Sequence, residues 1–154
     1  MKLYFFRHGK AGTAANDFDR ELTAEGVQVT QAASAALMRM GVHPEAILSS
    51  PRVRARQTAD ILGTAFGREV TICEELNFDF NVLHLRTLLA GRNGDSEIFF
   101  VGHNPGLSEV TNKLTAANIN LKTSGMARVD SPSPDILSGE LVMLVTPKLW
   151  RGLS

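Results

Sequence analysis

A single cysteine, Cys73, leaves this chain without a partner for an internal disulfide, and there is no paired Cys/His spacing of the kind that holds structural zinc. A reducing compartment is therefore the natural one. An excess of charge is missing too, since sixteen Lys and Arg balance sixteen Asp and Glu. No overall field draws the molecule toward nucleic acid or an anionic membrane surface, so neither is an expected partner, and any anion site must be local. No apolar run approaches the ~20 residues that span a bilayer. The start, MKLYFFRHGK, offers only Leu3 to Phe6 as apolar residues before Arg7, too few for a signal-peptide core, and the expected location is the cytoplasm. Internal repeats, linkers and low-complexity stretches are absent as well; SPSPD at 131–135 is too short to count.

The composition is that of one globular domain spanning 1–154, with 44% hydrophobic and 21% charged residues. A chain of this length can bury a core without metals or disulfides. Leu3 to Phe6 reads as a central strand covered on both faces. Thr23 then offers an N-cap and Glu25 a first-turn acid. Val29, Ala32, Ala33, Ala36, Leu37 and Met40 share one helical face, and Gly41 is the stop.

The stretch PEAILSSPRVRARQTADILGTAFG repeats that logic, with a strand at 46–48, Ser50 as N-cap, Pro51 at the first helical position and Gly67 as the end. Val70 to Cys73 is a third strand, followed by a helix from Asn81 to Ala90 that Gly91 ends. Glu97 to Val101 is a fourth strand, and Gly102-His103-Asn104-Pro105 turns into another helix. MARVD and LVMLVT, joined by SPSPDILSGE, form an antiparallel pair at one edge, and residues 117–125 carry no assignment. The alternation predicts a three-layer α/β/α fold with a mostly parallel central sheet and an antiparallel edge.

Open α/β sheets bind ligands in the crevice outside the carboxyl ends of their strands. Three such exits carry polar residues: Arg7-His8-Gly9, Ser50-Pro51 through Arg56, and Gly102-His103-Asn104-Pro105-Gly106. Arg7 and Arg54 can grip a phosphate with the guanidinium fork. Asn104 as N-cap and Pro105 as first helical residue would aim free backbone N–H groups at the same place. Two histidines, two arginines and a helix N-terminus describe a phosphoryl site that requires no metal or other cofactor. Blander readings stand beside this one. His8 can simply end a strand, His103 can be a turn residue, and two of Arg52, Arg54 and Arg56 can form a solvated helix face. His43 and His84 read as structural or surface groups.

FFRHGKA at 5–11, DFDRELTAEG at 17–26, LSSPRVRARQTA at 48–59 and FFVGHNPGL at 99–107 together resemble the histidine phosphatase superfamily, with its RHG motif, and specifically its short, SixA-type phosphohistidine phosphatase branch. The resemblance implies a phosphoglycerate-mutase-like fold. It implies that His8 is a nucleophile that becomes transiently phosphorylated. Arg7, Arg54 and His103 would bind the phosphoryl oxygens, with Gly9, Gly102 and Asn104 beside them.

One position departs from the pattern. Many members carry a glutamate acid in an L-x-E sequence after the third strand, where this chain has Leu76-Asn77-Phe78. Glu75, Asp79, Asp19 and Asp17 remain open as the proton donor. An alcohol leaving group with a pKa near ~15 needs a proton, whereas imidazole departs with little help. The missing acid therefore favours phosphohistidine. The substrate expected is a phosphorylated protein such as a histidine-containing phosphotransfer domain. Alternatives are a small phosphate ester, or a phosphoprotein bound without turnover.

Overall fold

The computed structural model describes residues 1–153 as a six-stranded sheet in the order β3-β2-β4-β1-β5-β6, with helices on both faces. The strands are β1 (Lys2–Arg7), β2 (Ala46–Ser49), β3 (Val70–Ile72), β4 (Glu97–Gly102), β5 (Met126–Asp130) and β6 (Glu140–Val145). The helices are α1 (Ala24–Arg39), α2 (Val53–Phe66), α3 (Val82–Leu89), α4 (Gly106–Thr115) and α5 (Pro147–Leu153), with a short 3₁₀ turn over Glu74–Leu76. β1, β2, β3 and β4 pair in parallel, and β5 and β6 add an antiparallel edge. No helix among the described residues is long and apolar enough to cross a membrane.

The continuous apolar runs of β1 and β4 exist because both strands lie inside the sheet and are buried on both faces. Alternate residues serve alternate layers. Leu3, Phe5, Ile98 and Phe100 pack with Leu85 of α3 and Leu107 and Val110 of α4. Tyr4, Phe6, Phe99 and Val101 pack with Leu37 of α1, Ala59 and Leu62 of α2 and Trp150 of α5. Cross-strand register then stacks rings in pairs, Tyr4 on Phe99 at 4.5 Å and Phe5 on Phe100 at 5.3 Å. Each fully buried phenylalanine contributes roughly 1.5–3 kcal/mol relative to exposure, so the strand that ends in Arg7 is anchored firmly.

Helix ends follow the sequence in part. Thr23 caps α1 by accepting from the Gly26 N–H at 3.0 Å, and Gly41 and Gly67 take the left-handed φ values of 71° and 62° that end α1 and α2. α2, however, starts at Val53, later than Ser50 and Pro51 suggest. The reason is tertiary: the Val53 N–H bonds to Phe18 O at 3.1 Å, and Ser50 faces β4. α5 is an addition to the sequence reading. It buries Trp150 against Phe6, and the indole N–H donates to Ser124 O at 2.7 Å.

Candidate active site

The ladder that joins β1, β4 and β2 also fixes where their exits lie. Arg7 pairs with Gly102, the His8 N–H reaches Gly102 O at 3.1 Å, and the Ser50 N–H reaches Val101 O at 2.9 Å. His8, Ser50 and His103 therefore emerge at one edge, around a crevice of about 280 Å³ that Arg7, His8, Arg54, Phe78, His103 and Asn104 help to line. A larger hollow of about 470 Å³ between α1 and α2 is lined by Asp60 and mostly apolar or hydroxyl side chains, with no histidine or arginine. The histidines and arginines gather in the smaller one.

His8 is buried, and its Nδ1 lies 2.8 Å from Gly9 O. A carbonyl can only accept, so Nδ1 holds the ring proton and Nε2 presents a lone pair. Arg54 Nε donates to that Nε2 at 3.2 Å. Burial pushes the His8 pKa down to about 4; the Gly9 bond opposes this, while the charges of Arg54 and Arg7 add to it. Uncharged His8 at neutral pH can serve as a nitrogen nucleophile once its lone pair gives up the Arg54 N–H.

His103 is buried as well, its ring 5.0 Å from that of His8. Its Nε2 lies 2.8 Å from Ser50 Oγ. Ser50 Oγ accepts from the Arg52 N–H at 3.3 Å and can donate to His103, which leaves the imidazole proton on Nδ1. That Nδ1 has no hydrogen-bond partner, and neither has the buried Arg7 Nε. Two unpartnered donors beside a buried arginine suit an oxyanion. Burial, then His8 and Arg54, lower the His103 pKa.

These buried imidazoles make a linkage prediction. Their folded pKa values lie below the ~6.5 of an unfolded histidine, so below that pH the unfolded chain binds protons that the folded chain refuses. Stability is complete above 6.5 and declines as pH falls. By pH 5 the loss should reach about 2 kcal/mol for each of the two. Urea unfolding at pH 7.5 and 5 in a phosphate-free buffer measures it, and His103→Gln should remove about half of the fall. Equal stability at both pH values would refute the buried, neutral assignment.

Arg54 is 2% exposed and reaches Asp17 through Nη1 to the backbone oxygen at 2.8 Å and Nη2 to Oδ2 at 3.1 Å. Asp17 also meets Arg20 at 3.1 Å and Arg52 at 2.9 Å. Desolvation raises its pKa, but the hydrogen bonds and charges of these arginines outweigh that and hold it below the usual carboxylate range. Asp17 is the carboxylate lining the crevice; Glu75, Asp79 and Asp19 are not among its lining residues, and Asp19 pairs with Asn16. Phe78 does line the crevice, its ring 4.8 Å from that of His103.

Other expectations need correction. Asn104 lines the crevice but caps nothing: α4 begins at Gly106, and the Asn104 amide binds Ser108, Asn120 and Leu121 O instead. The Gly9 N–H is engaged by Thr58 Oγ1 at 3.0 Å, and a Cβ there would press on Gly26 O and Thr30 of α1. Gly9 is thus small for helix packing, and a Cβ on Gly102 would likewise meet Leu76 O at 3.0 Å. Arg52 is no solvated residue, for it lies over Phe78 at 4.2 Å and donates to Asn77 Oδ1 at 3.0 Å. His84 joins the Asn81 cap of α3, and His43 is outside the crevice. Ser50 caps no helix and instead meets His103, and the stretch 117–125 supplies Thr123 to the crevice and Leu121 O to Arg7 Nη1 at 2.8 Å. A serine set directly after a strand exit was the one available signal for Ser50. Among the described residues, no three His, Cys, Asp or Glu side chains group as a metal site would require.

Comparison with known proteins agrees with this geometry. The profile of the histidine phosphatase superfamily (branch 1) matches residues 3–104. An uncharacterized protein of Picosynechococcus sp. strain PCC 7002 is 35% identical over 161 residues, covering 96% of this chain and 98% of that one. Among solved structures, the protein histidine phosphatase SixA complexed with tungstate shares the fold at a TM-score of 0.85 and 24% identity, over 97% of this chain and 99% of that one. A mycobacterial glucosyl-3-phosphoglycerate phosphatase shares it at a TM-score of 0.73 and 16% identity, over 94% and 98%.

Proposed function

The chain belongs to the histidine phosphatase superfamily, and from that premise we propose that it hydrolyses phosphohistidine on a protein, in the cytoplasm, through a phosphoryl group carried on His8. The observation that carries the reading is the His8 tautomer, with Nδ1–H tied to Gly9 O and Nε2 unprotonated against Arg54. Nε2 attacks phosphorus, and the P–N bond of the substrate breaks with its electron pair returning to the departing ring. A substrate imidazole protonated on its far nitrogen leaves neutral, without a proton from the enzyme. His8 becomes a phosphorylated imidazolium whose Nδ1–H stays on Gly9 O. Water then attacks phosphorus, inorganic phosphate leaves with both water protons, and neutral His8 returns.

Arg7, Arg54 and His103 Nδ1 would hold the phosphoryl oxygens, where fixed donors stabilise the charge spread over them. Asp17 would act as the acceptor that positions Arg54 and Arg52, since an ionised carboxylate has no proton to give. With Phe78 in the crevice and no protonated acid there, P–N substrates are favoured over aliphatic esters. The name of the structurally similar SixA supports a protein substrate, while the mycobacterial relative acts on a small ester.

The test is kcat/KM for a phosphohistidine peptide against glycerol phosphate. A preference of roughly 10²-fold or more for the peptide is expected, the size of a missing general acid. Equal or better turnover of glycerol phosphate would reassign the chain to small esters. Tungstate binding without any turnover would make it a phosphoprotein-binding module.

A further inference from the structure

We propose that Phe78 is the platform on which the departing imidazole stacks, and so the residue that selects a phosphohistidine over a P–N substrate without a ring; this rests on the reading above. Among the residues lining the crevice, Phe78 is the one aromatic side chain apart from the histidines. It stands at the mouth, 40% exposed, whereas His8 is 7% exposed at depth.

In-line displacement puts the entering and leaving atoms on opposite sides of phosphorus. With Nε2 attacking from below, the leaving group departs toward the mouth. Phe78 borders both groups that would hold the phosphoryl there, His103 at 4.8 Å between rings and the Arg54 guanidinium at 5.7 Å.

The ring is also held in place. The Arg52 guanidinium backs one face of it at 4.2 Å, and Arg52 is fixed in turn by Asp17 Oδ2 at 2.9 Å and Asn77 Oδ1 at 3.0 Å. A planar, neutral imidazole gains from an aromatic face. An amine or an alkoxide gains nothing comparable. Phenylalanine has no proton to offer either, so the surface that favours the ring gives no help to a poor leaving group.

Phe78→Leu, Phe78→Tyr and the wild type, each assayed on a 3-phosphohistidine peptide and on phosphoramidate, test this. Phosphoramidate presents the same P–N bond without a ring. Leucine should lower kcat/KM on the peptide about tenfold, the size of an aromatic contact, and leave phosphoramidate within about twofold; tyrosine should restore the peptide rate. Equal losses on both substrates, or no loss on either, would overturn the platform while leaving P–N hydrolysis intact. A wild type that cleaves neither compound would overturn the phosphohistidine reading, and the platform with it.

Discussion

His8→Ala is expected to abolish turnover, with kcat lowered on the order of 10⁴-fold or more, as the loss of a covalent nucleophile does. The variant should also fail to accumulate the acid-labile phosphoryl label that the wild type traps from radiolabelled phosphohistidine. No other nitrogen can replace Nε2. His103 uses its own Nε2 on Ser50 and holds a proton on Nδ1 in the tautomer that Ser50 favours. The fold should survive, because the imidazole is held by one bond to its neighbour's carbonyl and one from Arg54. Circular dichroism checks the fold, and label on the variant equal to the wild type would remove His8 from the mechanism.

Arg54→Lys should cost about 10²–10³-fold in kcat/KM, and the retained positive charge should not rescue it. Arg54 works with three nitrogens at once: Nε on His8, Nη1 on the Asp17 backbone oxygen and Nη2 on its carboxylate. A lysine offers one ammonium and can serve one of these places. In the proposed complex Arg54 keeps Asp17 as its acceptor and turns its remaining N–H groups to the phosphoryl oxygens, while Asp17 also keeps Arg20 and Arg52. Tungstate affinity, read by calorimetry, should fall in parallel with kcat/KM. A lysine variant as active as the wild type would mean that charge alone matters.

Much of this arrangement was legible in the sequence where one segment decides its own structure. The unbroken apolar runs of β1 and β4 marked the inner strands, and Thr23, Gly41 and Gly67 marked helix ends. The three strand exits pointed to His8, Arg54 and His103 because side chains there face one crevice in any parallel α/β sheet. What was not legible depends on neighbours. Ser50 reads as an N-cap until β2 is known to lie beside β4, which sets His103 against it. Arg52 reads as solvated until the 3₁₀ turn brings Phe78 under it. α5 spans seven residues, too few for a periodic pattern, and its tie to the loop before β5 is tertiary.

That tie gives the molecule an optical property. The indole of Trp150, the only one in the chain, bonds to the carbonyl of Ser124, whose N–H reaches both Arg7 O and His8 O at 3.1 and 3.0 Å. Ser124 holds a φ of 59°, a left-handed value that serine adopts under constraint. The fluorophore is thus two hydrogen bonds from the backbone of His8. Its emission is therefore expected to shift when an oxyanion enters the crevice, which a tungstate titration read by tryptophan fluorescence checks; unchanged emission at saturating tungstate would break that link.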